Sequence, residues 1–98
     1  RQLDESAETT DTTLELRVET PPERVEWAME SVLEKRKAVD EPETENTYAV
    51  YSKKGRARVS YEISPLDHET TLSITIEGYG DAPGFLREYF EKELAYML

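Results

Sequence analysis

Ninety-eight residues carry 22 acidic and 12 basic side chains, a formal net charge of −10, and no cysteine. That length allows one domain of modest stability, and the missing thiols exclude disulfides, thiolate metal sites and thiol catalysis within it. No apolar run approaches ~18 residues, so no membrane-spanning helix is expected, and the acidic balance disfavours nucleic acid and anionic lipid.

The chain opens on Arg1 and not Met, and reads as a fragment or a processed product. Residues 1–12 hold Asp4, Glu5, Glu8 and Asp11 with a single Leu and no aromatic. Such a segment buries too little to order itself, so a disordered acidic tail is expected, followed by one α+β domain over residues 13–98.

From Thr13 to Thr20, Leu14, Leu16 and Val18 alternate with Glu15, Arg17 and Glu19. Period two predicts a strand with one buried and one wet face. Thr20 precedes Pro21-Pro22-Glu23, which predicts a helix start, with proline in the first turn and an acid at the positive end of the dipole. The helix is expected to run from about Pro22 to Ala38 or Val39. Val25, Ala28, Met29, Val32 and Val39 then share one stripe at ~100° per residue, with Leu33 at its edge and Trp27 on the opposite side. Lys35, Arg36 and Lys37 fall at the helix C-terminus, which favours bases. Asp40 to Asn46 reads as a polar loop broken by Pro42.

Three strands are expected next: Thr47–Ser52, Arg56–Ser64 and Thr70–Tyr79, joined through Lys53-Lys54-Gly55 and Pro65–Glu69. Links this short permit only an antiparallel meander. Gly78-Tyr79-Gly80 ends the sheet, and Asp81 is the candidate N-cap of a last helix that carries Phe85, Leu86, Tyr89, Phe90, Leu94, Tyr96, Met97 and Leu98. The order β-α-β-β-β-α implies a two-layer α+β fold, a four-stranded antiparallel sheet with both helices on one face.

Chemistry-bearing residues are sparse. The single histidine, His68, sits between two acids in a turn, where exposure is the ordinary outcome, and no hydrolase, metalloprotease or phosphate-loop motif is present. No enzyme, cofactor or metal site is therefore expected. Glu93 projects inside the apolar arc of the last helix; it is read as reaching the rim or bonding a tyrosine, against the sharper reading of a carboxylate with raised pKa or a ligand hook. Lys53, Lys54, Arg56 and Arg58 place four bases on one hairpin. With no aromatic between them in sequence, a solvated hairpin is favoured over an anion or RNA contact.

The last helix carries the main signal. Its apolar side chains cover roughly 220° of the circumference, where packing on a sheet alone needs little more than half of that. Trp27 lies off the core stripe, either exposed as interface tryptophans often are or covered by the tail or the following loop. Tyr51 and Tyr79 also point away from the core. These surfaces predict a cytoplasmic, non-catalytic interaction module, a homodimer or the partner of another protein, whose interface includes Trp27, Phe90, Leu94 and Met97.

Leu14–Trp27 (L-E-L-R-V-E-T-P-P-E-R-V-E-W), the hairpin Val59–Glu77 and the last helix together resemble the SRPBCC, START-like helix-grip domains. That resemblance implies an apolar small molecule or lipid held between sheet and C-terminal helix, with Tyr61, Ile74, Phe85, Tyr89 and Glu93 as lining residues. The family has several more strands where this chain has about eight residues, which argues against a deep cavity. The strand, Pro-led helix, strands and a helix opened by Gly84-Phe85-Leu86-Arg87 also resemble the small dimerising subunit of the KEOPS tRNA-modification complex, with an extra strand here. That likeness implies a scaffold subunit that dimerises.

Overall fold

Alternation along four segments and helical spacing along two others organise the computed structural model, which describes residues 9–41 and 46–98. The elements are β1 (Thr9–Val18), α1 (Pro22–Lys35), β2 (Val39–Asp40), β3 (Thr47–Ser52), β4 (Gly55–Leu66), β5 (Glu69–Tyr79) and α2 (Ala82–Met97). They build an α+β fold with one five-stranded antiparallel sheet in the order β1-β5-β4-β3-β2. The expected sheet had four strands; the fifth, β2, has only two residues and too little sequence to show a period.

β1 begins at Thr9, not Thr13, because Thr9 to Thr12 continue the ladder against Tyr79, Gly78, Glu77 and Ile76. Pairing of backbone groups extends a strand whose side chains alone give no reason to order. The rest of the expected tail, residues 1–8, and residues 42–45 of the expected polar loop lie outside the described residues.

Pro21 occupies the N-cap of α1, and its carbonyl accepts the amides of Arg24 and Val25 at 3.0 and 3.1 Å. The other end is closed by a paired turn in which Lys37 N–H donates to the Glu34 carbonyl and Ala38 N–H to that of Leu33, at 2.9 and 3.0 Å. Lys37 takes a left-handed φ of 56° to make this cap, a role more often filled by glycine. The cap turns the chain out of the helix, so Val39, expected on the buried stripe, instead pairs with Ala49 as part of β2 and is exposed.

One face of the sheet is dry. Leu14, Val50, Ala57, Val59, Tyr61, Leu72, Ile74 and Ile76 form a single cluster with Val25, Ala28, Met29, Val32 and Leu33 of α1 and Leu86, Phe90 and Leu94 of α2. Both helices therefore cover the same face, α2 over β1 and β5, α1 over β4 and β5, and they touch each other. The first turn of α2 passes close to the start of β4, where a Cβ on Gly55 would stand 3.8 Å from the Ala82 Cβ. Gly78 lies opposite Ala57, and a Cβ on it would stand 2.9 Å from the Ala57 Cβ and 2.9 Å from the Arg56 carbonyl oxygen. Asp81 holds the N-cap position of α2 without a side-chain cap bond.

Candidate functional site

The broad apolar arc of α2 has two neighbours, and these account for most of its width, with Tyr96 left exposed. Leu86, Phe90 and Leu94 point into the sheet and are fully buried. Phe85, Tyr89 and Glu93 instead face the C-terminal turn of α1. There the Arg36 guanidinium stands 5.5 Å from the Phe85 ring centroid and 4.4 Å from that of Tyr89, and Lys35 Nζ meets Glu93 Oε1 at 2.7 Å. The Arg36 Nε is buried without a hydrogen-bond partner, and the two ring faces stabilise its charge in place of one. A helix packed on a sheet and on a second helix needs roughly the arc that α2 displays.

This packing corrects the expected interface. Phe90 and Leu94 are core residues with no exposed surface, Met97 is half-buried, and of the four only Trp27 is prominently exposed, at 56%. The expected ligand set is also divided. Tyr61 and Ile74 face each other across β4 and β5, both buried in the core, while Phe85, Tyr89 and Glu93 line the helix–helix seam. Packed aliphatic side chains fill the space between sheet and α2. Glu93 does reach the rim as expected, but its partner is Lys35 and not a tyrosine; the bond and the nearby carboxylate together raise the Lys35 pKa.

The basic hairpin is engaged with its own neighbours. Arg58 Nε lies 3.6 Å from Glu41 Oε1, Arg56 stands 5.8 Å over the Tyr51 ring, and Lys53 stands 5.8 Å over Phe85. His68 occupies an exposed two-residue turn beside Asp67, whose φ is 53°. Among the described residues no group of three or more His, Cys, Asp or Glu is placed to hold a metal ion. No helix among them is long and apolar enough to cross a membrane.

Two features lie elsewhere. The first is a groove of about 260 Å³ between α1 and β3, lined by Trp27, Glu30, Glu34, Leu33, Ala38 and Tyr48. Its Tyr48 ring stacks on Tyr61 with centroids 6.3 Å apart and planes 13° from parallel. Burial raises the pKa of the Tyr61 hydroxyl, and Tyr48, Glu30 and Glu26 add to the shift. Sequence reasoning found Trp27 but not Tyr48, because α1 and β3 meet only in the fold.

The second is the outer edge of β1, ten residues long and bordered by no other strand among the described residues. Antiparallel geometry leaves every other residue's N–H and C=O pointing away from β5. Among the described residues, Arg87 Nε makes a long bond of 3.4 Å to the Thr13 carbonyl. On the wet face a row of charges crosses the sheet: Arg58 stands opposite Glu77, and Glu77 opposite Asp11. The row thus ends with two carboxylates side by side at the open edge. No known protein-family model matches this chain, and neither a curated protein nor a solved structure is similar to it.

Proposed function

We propose that the protein is a non-catalytic interaction module that associates with a second copy of itself through the open edge of β1. The observation that carries this reading is the unbalanced charge row. Among the described residues Asp11 faces Glu77 on one side and no strand on the other, and like charges directly opposite destabilise a sheet. A second β1 laid antiparallel supplies the missing base. With Leu14 on the two-fold axis, Asp11 stands opposite the partner's Arg17, Thr13 opposite the partner's Glu15, and Thr12 opposite the partner's Leu16. The register centred on Thr13 instead sets Asp11 against the partner's Glu15, and the one centred on Glu15 sets two glutamates face to face. The register centred on Leu16 pairs Glu15 with the partner's Arg17 but leaves Asp11 without a base, so of the registers that keep the apolar faces together the one centred on Leu14 is the one that answers the Asp11–Glu77 repulsion.

Such pairing is isologous, extends the sheet across the two-fold axis and gives strand partners to the outward backbone groups of β1, among which the Thr13 carbonyl already accepts from Arg87 Nε. It does not need Phe90 and Leu94 of α2, which are already buried within the domain. The apolar-ligand reading lacks a comparable observation, since side chains occupy the space it requires. Sedimentation equilibrium tests the proposal: the reading expects a mass moving toward twice the 11.3 kDa chain mass as concentration rises through the micromolar range. A mass that stays at one chain up to millimolar concentration would overturn it.

A further inference from the structure

The groove between α1 and β3 has the chemistry of a receptor for organic cations. Trp27 forms one wall, more than half exposed, on the face of α1 turned from the core. Tyr48 also lines the groove, and its ring lies within 13° of parallel to that of Tyr61, with centroids 6.3 Å apart. Glu30 and Glu34 line the same groove, and Glu26 continues their line one turn earlier. None of the three forms an ion pair among the described residues, where the salt bridges are Lys35–Glu93, Arg58–Glu41 and Arg87–Glu91. Carboxylates at i, i+4 and i+8 repel one another along a helix, so the stripe weakens α1.

We infer that this groove takes a lysine or arginine side chain presented by a partner protein. The carboxylates bond the cationic head, and the Trp27 and Tyr48 faces cover the alkyl stem and attract the charge through their ring quadrupoles. The indole already accepts a cation of this kind: the Arg24 guanidinium, one turn away on α1, stands 6.0 Å from its centroid. An anion would meet the two carboxylates and the net charge of −10. The groove is open to solvent and does not enclose an occupant. A free amine would therefore leave most of its surface in water, whereas a side chain carried on a protein brings further contact area around an exposed tryptophan anchor. This assignment is independent of the β1 edge, which lies at the opposite end of the strand order.

Trp27 is the only tryptophan in the chain, so its fluorescence reports on this groove directly. The probe is an acetylated, amidated nonapeptide carrying two lysines and one arginine between glycines, titrated at ~0.15 M salt. Saturable change in Trp27 emission is expected, with affinity about tenfold weaker in the Glu30→Gln/Glu34→Gln double variant. The control, Glu62→Gln/Glu69→Gln, removes the same charge from exposed positions away from the groove and should leave affinity within about twofold. A peptide with acetylated lysines and citrulline should not bind. Equal weakening in both double variants would reduce the effect to general attraction between a basic peptide and an acidic protein, and would overturn the assignment. No change in Trp27 emission would do the same. An emission shift that follows protein concentration without peptide would give the groove to a second copy of the chain instead.

Discussion

Replacing Asp11 by arginine changes the fold and the association in opposite directions, and this makes it the most informative single substitution. Within one chain Asp11 faces Glu77 across the β1–β5 ladder. Exchanging a like-charge pair for an opposite-charge one there should stabilise the domain by about 0.4–2 kcal/mol, since each cross-strand pair contributes roughly 0.2–1 kcal/mol of either sign. For a domain near 100 residues this raises Tm by several degrees, at ~4–8 °C per kcal/mol. Across the proposed two-fold axis the same arginine faces the partner's Arg17 twice, once on each side. Losing two attractions and gaining two repulsions weakens association by about 1–4 kcal/mol, roughly 5- to 1,000-fold in Kd. The double variant Asp11→Arg/Arg17→Asp restores opposite charges at both places and should recover association. Thermal melts at nanomolar concentration read the first effect, and sedimentation at micromolar concentration reads the second. A variant that gains stability and associates as tightly as the parent would refute the register; one that loses stability would refute the like-charge argument itself.

Other outcomes follow from the packing. Phe90→Ala empties a fully buried site between α2 and the sheet and should destabilise the domain by about 3–5 kcal/mol, lowering Tm by more than ~10 °C. Unchanged stability with altered oligomeric mass would return Phe90 to the surface. Gly78→Ala forces a Cβ to within 2.9 Å of the Ala57 Cβ, and urea denaturation should report a loss of about 1–3 kcal/mol; a neutral result would show that β4 beside it yields without strain. Burial, with Tyr48, Glu30 and Glu26 nearby, raises the Tyr61 pKa. The folded state thus favours the protonated phenol, so its contribution is complete below the unfolded value near ~10 and is lost as pH climbs above it. Stability measured between pH 9 and 12 should fall more steeply in the parent than in Tyr61→Phe.

The sequence made some of this architecture legible and hid the rest for identifiable reasons. The alternation of Leu14, Leu16 and Val18, or of Ala57, Val59, Tyr61 and Ile63, states which face of each strand is buried, because side-chain direction follows directly from the pleat. The extent of β1 was not legible: Thr9 to Thr12 are ordered by the backbone of β5, and Asp11 offers no apolar surface to announce it. The end of α1 was misread because Val39 fits the helical stripe, while the turn at Lys37 depends on a left-handed residue that is not a glycine. On α2 the spacing gave the width of the apolar arc but not what covers it. Side-by-side helices use that width internally, so Phe90 and Leu94 mark the core. The charge row could not be read along the chain either, since Arg58, Glu77 and Asp11 become neighbours only through strand register.

The central claim is the pairing of two β1 edges about Leu14, and cross-linking tests that register residue by residue. Asp11→Cys and Arg17→Cys are prepared separately in this cysteine-free chain, mixed, and oxidised mildly. Directly opposed residues on neighbouring antiparallel strands hold their Cβ atoms about 4.5–5.5 Å apart, at or just beyond the ~3.5–4.5 Å of a disulfide, so a short thiol-to-thiol cross-linker is used beside the oxidant. The account predicts a cross-linked heterodimer in the mixture and little or none in either variant alone. Cross-linking of either variant with itself at the rate seen in the mixture, or none in any sample, would contradict it.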